Sequence, residues 1–198
     1  FVLAFPCTLI NFAYAQNGFL SAFLLGTGIL MLKKSPILAG VMLGLFTYKP
    51  QFALLIAVAL ISARLWKVFL TACITVLILI IISCILYGPL VWQAFYNNLP
   101  LAQLVMNSGN GMWEKMQSVF ASARLIGITL PYAYALQAAF AIAAVIVVAW
   151  AWYKRVFPMA YIILTAAMFL ATPYALVYDL TITGLTIAWY AWHCLLWG

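Results

Sequence analysis

Long apolar stretches, separated by short polar or basic clusters, run along the whole chain. No charged residue occurs in 1–32, 68–113, 125–153 or 180–198. A helix of about 20 apolar residues crosses roughly 30 Å of hydrocarbon, so each run is long enough, or nearly so, for a membrane span. Strands of a membrane barrel would instead alternate polar and apolar residues. The pattern therefore predicts an all-α, polytopic bundle of transmembrane helices.

Individual segments follow from where each apolar run begins and ends. The first run ends near residues 11–14, and the later segments cover 18–32, 35–63, 67–87, 131–153, 157–173 and 180–197. We expect residues 88–130 to lie outside the membrane. Because no internal repeat or soluble domain is visible, residues 1–198 are interpreted as a single integral membrane domain.

Residues 35–63 are open to two interpretations. As one span, they would place Lys49 near the bilayer centre, at a cost of about 2.5–3.5 kcal/mol. As a hairpin of two short helices, they would bend at Lys49 and Pro50. The residue before a proline avoids α geometry, and proline itself suits the first turn of a new helix, so both positions favour the bend.

The distribution of basic residues favours the hairpin over the single span. The hairpin places six Lys and Arg inside and three outside, whereas the single span divides them four against four. Cytoplasmic loops are enriched in Lys and Arg, so we prefer the hairpin, with eight membrane-crossing segments in all. Each arm is only about 20 Å long, and Gly40 and Gly44 in the first arm would allow close helix contact. The six inside residues are Lys33, Lys34, Arg64, Lys67, Lys154 and Arg155.

Part of the outside segment has the pattern of an amphipathic helix. Trp92, Phe95, Tyr96 and Leu99 fall at i, i+3, i+4 and i+7. One apolar stripe with polar residues elsewhere suits a helix that lies in the membrane interface.

Composition agrees with a membrane protein. Mean hydropathy is +1.18 and charged residues make up 6% of the chain, against roughly a quarter in soluble domains. The net charge of +7 comes from small clusters between apolar runs, which indicates cytoplasmic loops and not a nucleic-acid surface. The four cysteines lack CxxC spacing and are interpreted as small buried hydrophobes. Since the chain begins inside an apolar run without Met, we interpret it as an internal fragment, with further spans expected before residue 1.

On this topology, scattered polar residues gather at the outer membrane boundary. A site for a lipid-linked substrate needs a cation for phosphate, polar groups for sugar hydroxyls and an apolar groove for the lipid tail. The candidate substrate-binding residues are Gln16, Asn17, Lys49, Gln51, Arg124, Tyr174, Tyr178 and Asp179.

The two charged candidates at helix ends each have a structural alternative. Lys49 precedes the helix opened by Pro50, whose free N–H groups favour anions; alternatively, it snorkels to the interface. Asp179 could order a hydroxyl or pair with Lys49 or Arg124, or it could cap the last helix. An ionisable residue at the end of a span is a functional candidate by default.

The other polar groups are ambiguous in the same way. Gln16 and Asn17 either bind substrate or cap the following helix, and Arg124 either binds phosphate or forms an internal ion pair. Glu114 is interpreted as a solvated loop charge and His193 as interfacial packing. One His and two carboxylates give no convincing metal site, so no metal or other cofactor is expected.

An ordered set of motifs covers nearly the whole chain. They are Ala-Gln-Asn-Gly-Phe-Leu at 15–20, Leu-Ala-Gly at 38–40, Gly-Leu-Phe-Thr-Tyr-Lys-Pro-Gln at 44–51, Tyr-Gly-Pro at 87–89, Met-Gln-Ser-Val-Phe at 116–120, Thr-Pro-Tyr at 172–174 and Tyr-Asp-Leu at 178–180. In this order and spacing they resemble glycosyltransferase family 87, the polyprenol-phosphate-mannose-dependent alpha-1,2-mannosyltransferase-like membrane proteins.

The resemblance implies a GT-C-type fold and a membrane hexosyltransferase. Such an enzyme moves a sugar, typically mannose, from a polyprenyl-phosphate carrier to a glycolipid or glycan acceptor at the outer face. Carried over by position, it marks seven of the eight candidates above, all but Arg124, as substrate-binding. The usual catalytic base lies in the first external loop, which would precede residue 1, so the fragment alone is expected to be inactive; Asp179 is the second choice. We expect a multi-pass protein of the bacterial plasma membrane.

A secondary transporter or flippase-like module is the competing interpretation. In it, Lys49 and Asp179 would be gating charges at broken helices near the bilayer midplane. A transporter would expose them alternately to both faces, whereas a transferase would keep them at one.

Overall fold

The computed structural model describes residues 5–109 and 113–197, and this part of the chain is helical. Three short 3₁₀ turns, Phe46–Tyr48, Trp113–Lys115 and Val177–Leu180, join some of the helices. The helices are α1 Pro6–Ala13, α2 Gly18–Met31, α3 Pro36–Leu45, α4 Pro50–Ser62, α5 Trp66–Tyr87, α6 Leu90–Ser108, α7 Val119–Leu125, α8 Leu130–Tyr153, α9 Met159–Ala171 and α10 Thr181–Trp197. The predicted all-α class is confirmed.

Within residues 5–109 and 113–197, two helices, α5 and α8, are long and apolar enough to cross a membrane by themselves. Helices α2, α3, α4 and α9 are apolar but shorter, between 10 and 14 residues. At 1.5 Å per residue, each spans only about 15–21 Å. The chain is therefore a helical membrane protein, while the count of eight crossing segments stays a prediction.

The segment 35–63 is two helices, as the hairpin interpretation requires. Helix α3 ends in the Phe46–Tyr48 turn, Lys49 leaves the α region at φ −111° and ψ 78°, and Pro50 begins α4. The loss of helical geometry at Lys49 follows from the ring of Pro50, which crowds the backbone of the preceding residue.

Helix α3 packs closely against α5, and small residues make that approach possible. A Cβ added to Gly40 would lie 2.7 Å from the carbonyl oxygen of Val68, and one added to Gly44 would lie 2.9 Å from that of Ala72. The step from Gly40 to Gly44 along α3 corresponds to the step from Val68 to Ala72 along α5. Both steps run in the direction of increasing residue number, so the two helices are parallel. The prediction of close contact through these glycines is confirmed.

The basic clusters that the hairpin places on one side do lie at one end of the bundle. Since α3 and α5 run parallel, the cluster before each helix lies at the same end. Arg155 donates a hydrogen bond of 3.0 Å to the carbonyl oxygen of Ala63. Lys33, Ala63 and Arg155 also line one groove of about 290 Å³. The single-span alternative, which separates these clusters, is wrong.

The core lies around α4, which packs on α8 and α9. Phe46 and Phe52 are fully buried and their rings lie 6.4 Å apart. Phe52 also contacts Phe169 of α9, with ring centroids 5.6 Å apart. These contacts hold the turn between α3 and α4, and therefore Lys49, against the rest of the bundle.

The segment between α5 and α8 contains α6 and α7. Helix α6 is largely exposed and packs little against the rest of the bundle. The predicted apolar stripe from Trp92 to Leu99 lies on α6 and is exposed, so its position in the membrane interface stays a prediction. Helix α7 is held to α8 by Gln137, whose buried amide accepts from Phe120 N–H at 2.9 Å and donates to Leu170 carbonyl at 2.8 Å.

Candidate functional site

Three distant parts of the chain converge at the end of the bundle opposite the basic clusters. They are the connection from α1 to α2, the turn between α3 and α4, and the Val177–Leu180 turn that leads into α10. Proline at 50 places Lys49 at the N-terminus of α4, and the 3₁₀ turn places Asp179 one turn before α10.

An ion pair joins Lys49 to Asp179 at this point of convergence. The ammonium binds Asp179 Oδ1, and the two residues are only 6% and 3% exposed. Asp179 Oδ2 accepts the backbone N–H of Leu176 at 3.1 Å, so both carboxylate oxygens are engaged. Asp179 thus caps the 3₁₀ turn, whereas α10 itself begins at Thr181. Of the pairings left open by the sequence, the one with Lys49 is formed.

Two tyrosine rings complete the surroundings of the ammonium. Lys49 Nζ lies 5.6 Å from the ring centre of Tyr48 and 5.2 Å from that of Tyr178, which are cation–π distances. The Tyr48 hydroxyl lies 2.6 Å from Ser21 Oγ. Burial, and secondly the charge of Asp179, raise the pKa of Tyr178, so its hydroxyl stays protonated at neutral pH.

Asn11 connects α1 to the start of α2 and to the turn before α10, and it was not among the residues predicted from the sequence. Its side chain is 1% exposed; the amide donates to the Tyr178 carbonyl at 2.8 Å and to the Thr181 hydroxyl, and Oδ1 accepts Gly18 N–H at 2.8 Å. This bond satisfies the first N–H of α2. Asn17 occupies the N-cap position of that helix, but its side chain makes no capping hydrogen bond. The one local signal was an amide near the end of the first apolar run.

The remaining candidates lie around the pair at greater exposure. Gln16 is exposed and its amide donates to the Tyr14 carbonyl at 3.2 Å. Asn17 brings its backbone carbonyl to the Tyr48 hydroxyl at 3.2 Å. Gln51 is half-buried in the first turn of α4, and Tyr174 is exposed on the loop before Asp179.

Arg124 has its own set of contacts in the segment between α5 and α8. Its guanidinium donates to the Ile128 carbonyl at 2.7 Å and lies 4.7 Å from the Trp113 ring. These contacts stabilise the connection between α7 and α8. Arg124 forms no ion pair among the described residues, and its binding of phosphate stays a prediction. Glu114 is exposed, as expected.

Two grooves are lined by residues that adjoin Lys49 or Asp179 in the sequence, although neither charged residue lines them itself. One, of about 540 Å³, runs between α4 and α5 and is lined by apolar residues, with Thr47 and Pro50 on either side of Lys49 in the sequence. The other, of about 520 Å³, lies between α7, α8 and α9 and reaches Leu180, next to Asp179. Among the described residues, no three His, Cys, Asp or Glu side chains come together as a metal site would need.

Chemically, the site combines a buried cation, a carboxylate and apolar grooves. A cation at a helix N-terminus can hold an anion, and the grooves offer room for hydrocarbon. Such an arrangement suits a ligand with a charged group and a lipid tail.

Comparison with known protein families identifies the chain. The family model described as glycosyltransferase family 87 matches residues 1–177, which include Lys49 and end two residues before Asp179. No curated protein and no solved structure matches the chain. Because the family model covers most of the sequence, this helical membrane protein belongs to glycosyltransferase family 87.

Proposed function

We propose that the protein transfers a hexose, specifically mannose, from a polyprenyl-phosphate donor to a glycolipid or glycan acceptor. The transfer takes place at the outer face of a bacterial plasma membrane that the chain crosses several times. The observation that carries the proposal is the buried Lys49 at the start of α4, beside an apolar groove, in a chain of this family.

The donor phosphate is the group that Lys49 would bind. An ammonium ion at a helix N-terminus adds its charge to the partial positive charge of the free N–H groups. The groove between α4 and α5 begins beside Pro50 and is lined almost wholly by hydrocarbon, so it suits the isoprenoid tail.

The reaction would be an inverting displacement. The acceptor hydroxyl oxygen forms a bond to the anomeric carbon, the bond from that carbon to the phosphate oxygen breaks, and a carboxylate takes the hydroxyl proton. Lys49 would stabilise the negative charge that grows on the leaving phosphate. Asp179 is the acidic residue of this chain nearest to that chemistry, and both its oxygens are engaged by other groups.

A transfer assay with the full-length protein tests the proposal. Purified protein is given a short-chain polyprenyl-phosphate mannose and membrane-derived glycolipids, and the product is followed by mass spectrometry. Lys49→Met should lower the rate at least about 100-fold, the usual cost of removing a charge-stabilising group, whereas Lys115→Met on the exposed outer segment should not. Transport of the lipid across vesicles without transfer would establish the competing transporter function instead.

A further inference from the structure

We infer that Lys49 has two mutually exclusive anionic partners: the Asp179 carboxylate, and the phosphate of the lipid-linked donor. The donor phosphate displaces Asp179 from the ammonium when it binds. This inference rests on the proposed donor and assigns Asp179 a role in controlling access to it.

Lys49 is nearly enclosed by groups of its own chain. The residue is 6% exposed and its ammonium lies between Asp179 and the rings of Tyr48 and Tyr178. A phosphate placed beside the carboxylate would bring two negative charges together in a poorly solvated site, which is strongly unfavourable. Binding of one anion therefore requires release of the other.

The carboxylate is held by hydrogen bonds of its own loop, whereas the ammonium stands at the end of a flexible side chain. Asp179 Oδ2 is bound to Leu176 N–H, and Asn11 fixes the neighbouring Tyr178 carbonyl. The same loop is anchored to the outer segment, where Gln117 N–H donates to the Ala175 carbonyl at 2.7 Å. Lys49 carries its charge on a flexible four-carbon chain, so the exchange needs rotation of that chain and no movement of a helix.

Exchange has a chemical consequence for Asp179. A buried carboxylate that has lost its counter-ion is costly and takes up a proton from solution to become a neutral acid. Donor binding should therefore convert Asp179 from an ion-paired carboxylate to a protonated carboxyl group.

Binding of a short-chain polyprenyl monophosphate to the full-length protein in detergent tests the exchange. Asp179→Asn removes the competing charge and keeps the shape, so it should bind at least about tenfold more tightly than the natural protein, because the lysine no longer has to be released first. Lys49→Met should lose binding, and uncharged polyprenol should not distinguish the three proteins. Equal or weaker binding by Asp179→Asn overturns the exchange. If the natural protein binds the phosphate no better than the polyprenol, the proposed donor fails, and the exchange with it.

A second measurement uses the natural protein, in case the substitution prevents folding. A hydrophobic carbodiimide modifies protonated carboxyl groups in apolar surroundings, and the chain has only two acidic residues. Saturating polyprenyl monophosphate should increase labelling of Asp179, measured by peptide mass spectrometry, and leave the exposed Glu114 unchanged. Labelling of Asp179 that stays constant or falls contradicts the exchange.

Discussion

Arg155 Nη2 donates a hydrogen bond to the carbonyl oxygen of Ala63, 92 residues earlier in the chain. The bond joins the connection between α4 and α5 to the connection between α8 and α9. Both connections carry basic residues, so one contact brings together two of the clusters that define the cytoplasmic side in this class of protein.

Labelling from the two sides of the membrane checks this topology. In a background without the four native cysteines, Lys34→Cys and Lys67→Cys should react with a membrane-impermeant thiol reagent from the same side. Both positions lie at the starts of parallel helices, α3 and α5. Glu114→Cys should react from the opposite side. Labelling of positions 34 and 67 from different sides would contradict the hairpin.

Removal of one partner of the ion pair should reduce stability more than replacement of both partners. Lys49→Met alone leaves a buried carboxylate without its counter-ion and should lower the free energy of unfolding by about 3–5 kcal/mol. Lys49→Met with Asp179→Leu replaces both charges by apolar groups and should restore most of that loss. Stability is read from tryptophan fluorescence during denaturation in detergent.

The same double substitution separates a structural pair from a functional one. We expect it to remain folded and to be inactive in sugar transfer, because the phosphate-binding cation is gone. A folded double variant that transfers sugar at the natural rate would mean that the pair serves the fold alone.

Asn11 should contribute more to stability than any exposed amide. Asn11→Ala leaves Gly18 N–H without its acceptor and removes one donor from the Tyr178 carbonyl, which still accepts from the Thr181 hydroxyl. It should cost about 1–3 kcal/mol, the range for one buried group left unsatisfied. Asn98→Ala is the control, because Asn98 makes a similar bond of 2.7 Å to the Ala94 carbonyl on an exposed helix. Equal melting temperatures for the two variants would argue against the role of Asn11.

Close contact between α3 and α5 can be tested with one added methyl group. A Cβ at position 44 would meet the backbone carbonyl of Ala72 at 2.9 Å and Thr75 Cβ at 2.6 Å, so Gly44→Ala should destabilise by about 1–3 kcal/mol. Gly26→Ala is the matched control. There the new Cβ meets the tip of the Leu185 side chain at 2.5 Å, which can rotate away. Similar stability of both variants would show that α3 tolerates separation from α5.

Helix limits were predictable because apolar runs and prolines mark them locally. The predicted segment 67–87 differs by one residue from Trp66–Tyr87, and the bend at Lys49 followed from the proline beside it. The sign of each charge cluster then fixed which ends lie together. These are signals that a single sequence carries without any knowledge of distant contacts.

Side-chain partners were not predictable in the same way. The bond from Asn11 to the Tyr178 carbonyl joins residues 167 positions apart, and nothing local to either residue specifies it. The internal ion pair considered for Arg124 is not formed among the described residues: the neighbours of its guanidinium are a carbonyl and an indole ring, which a sequence pattern cannot specify. Gln137 left a signal that went unused: a lone amide within a long apolar helix.

The partners of the ion pair lie 130 residues apart, which sets an order on biosynthesis. At roughly 5–20 residues per second, the ribosome delivers Asp179 about 6–26 s after Lys49. Until then, two arms of 10 and 13 residues, both too short to cross the bilayer alone, carry an unneutralised charge at their tip. During this interval the hairpin lies at a shallow depth in the membrane or is bound by the insertion machinery. Its final position is reached only after Asp179 has been made.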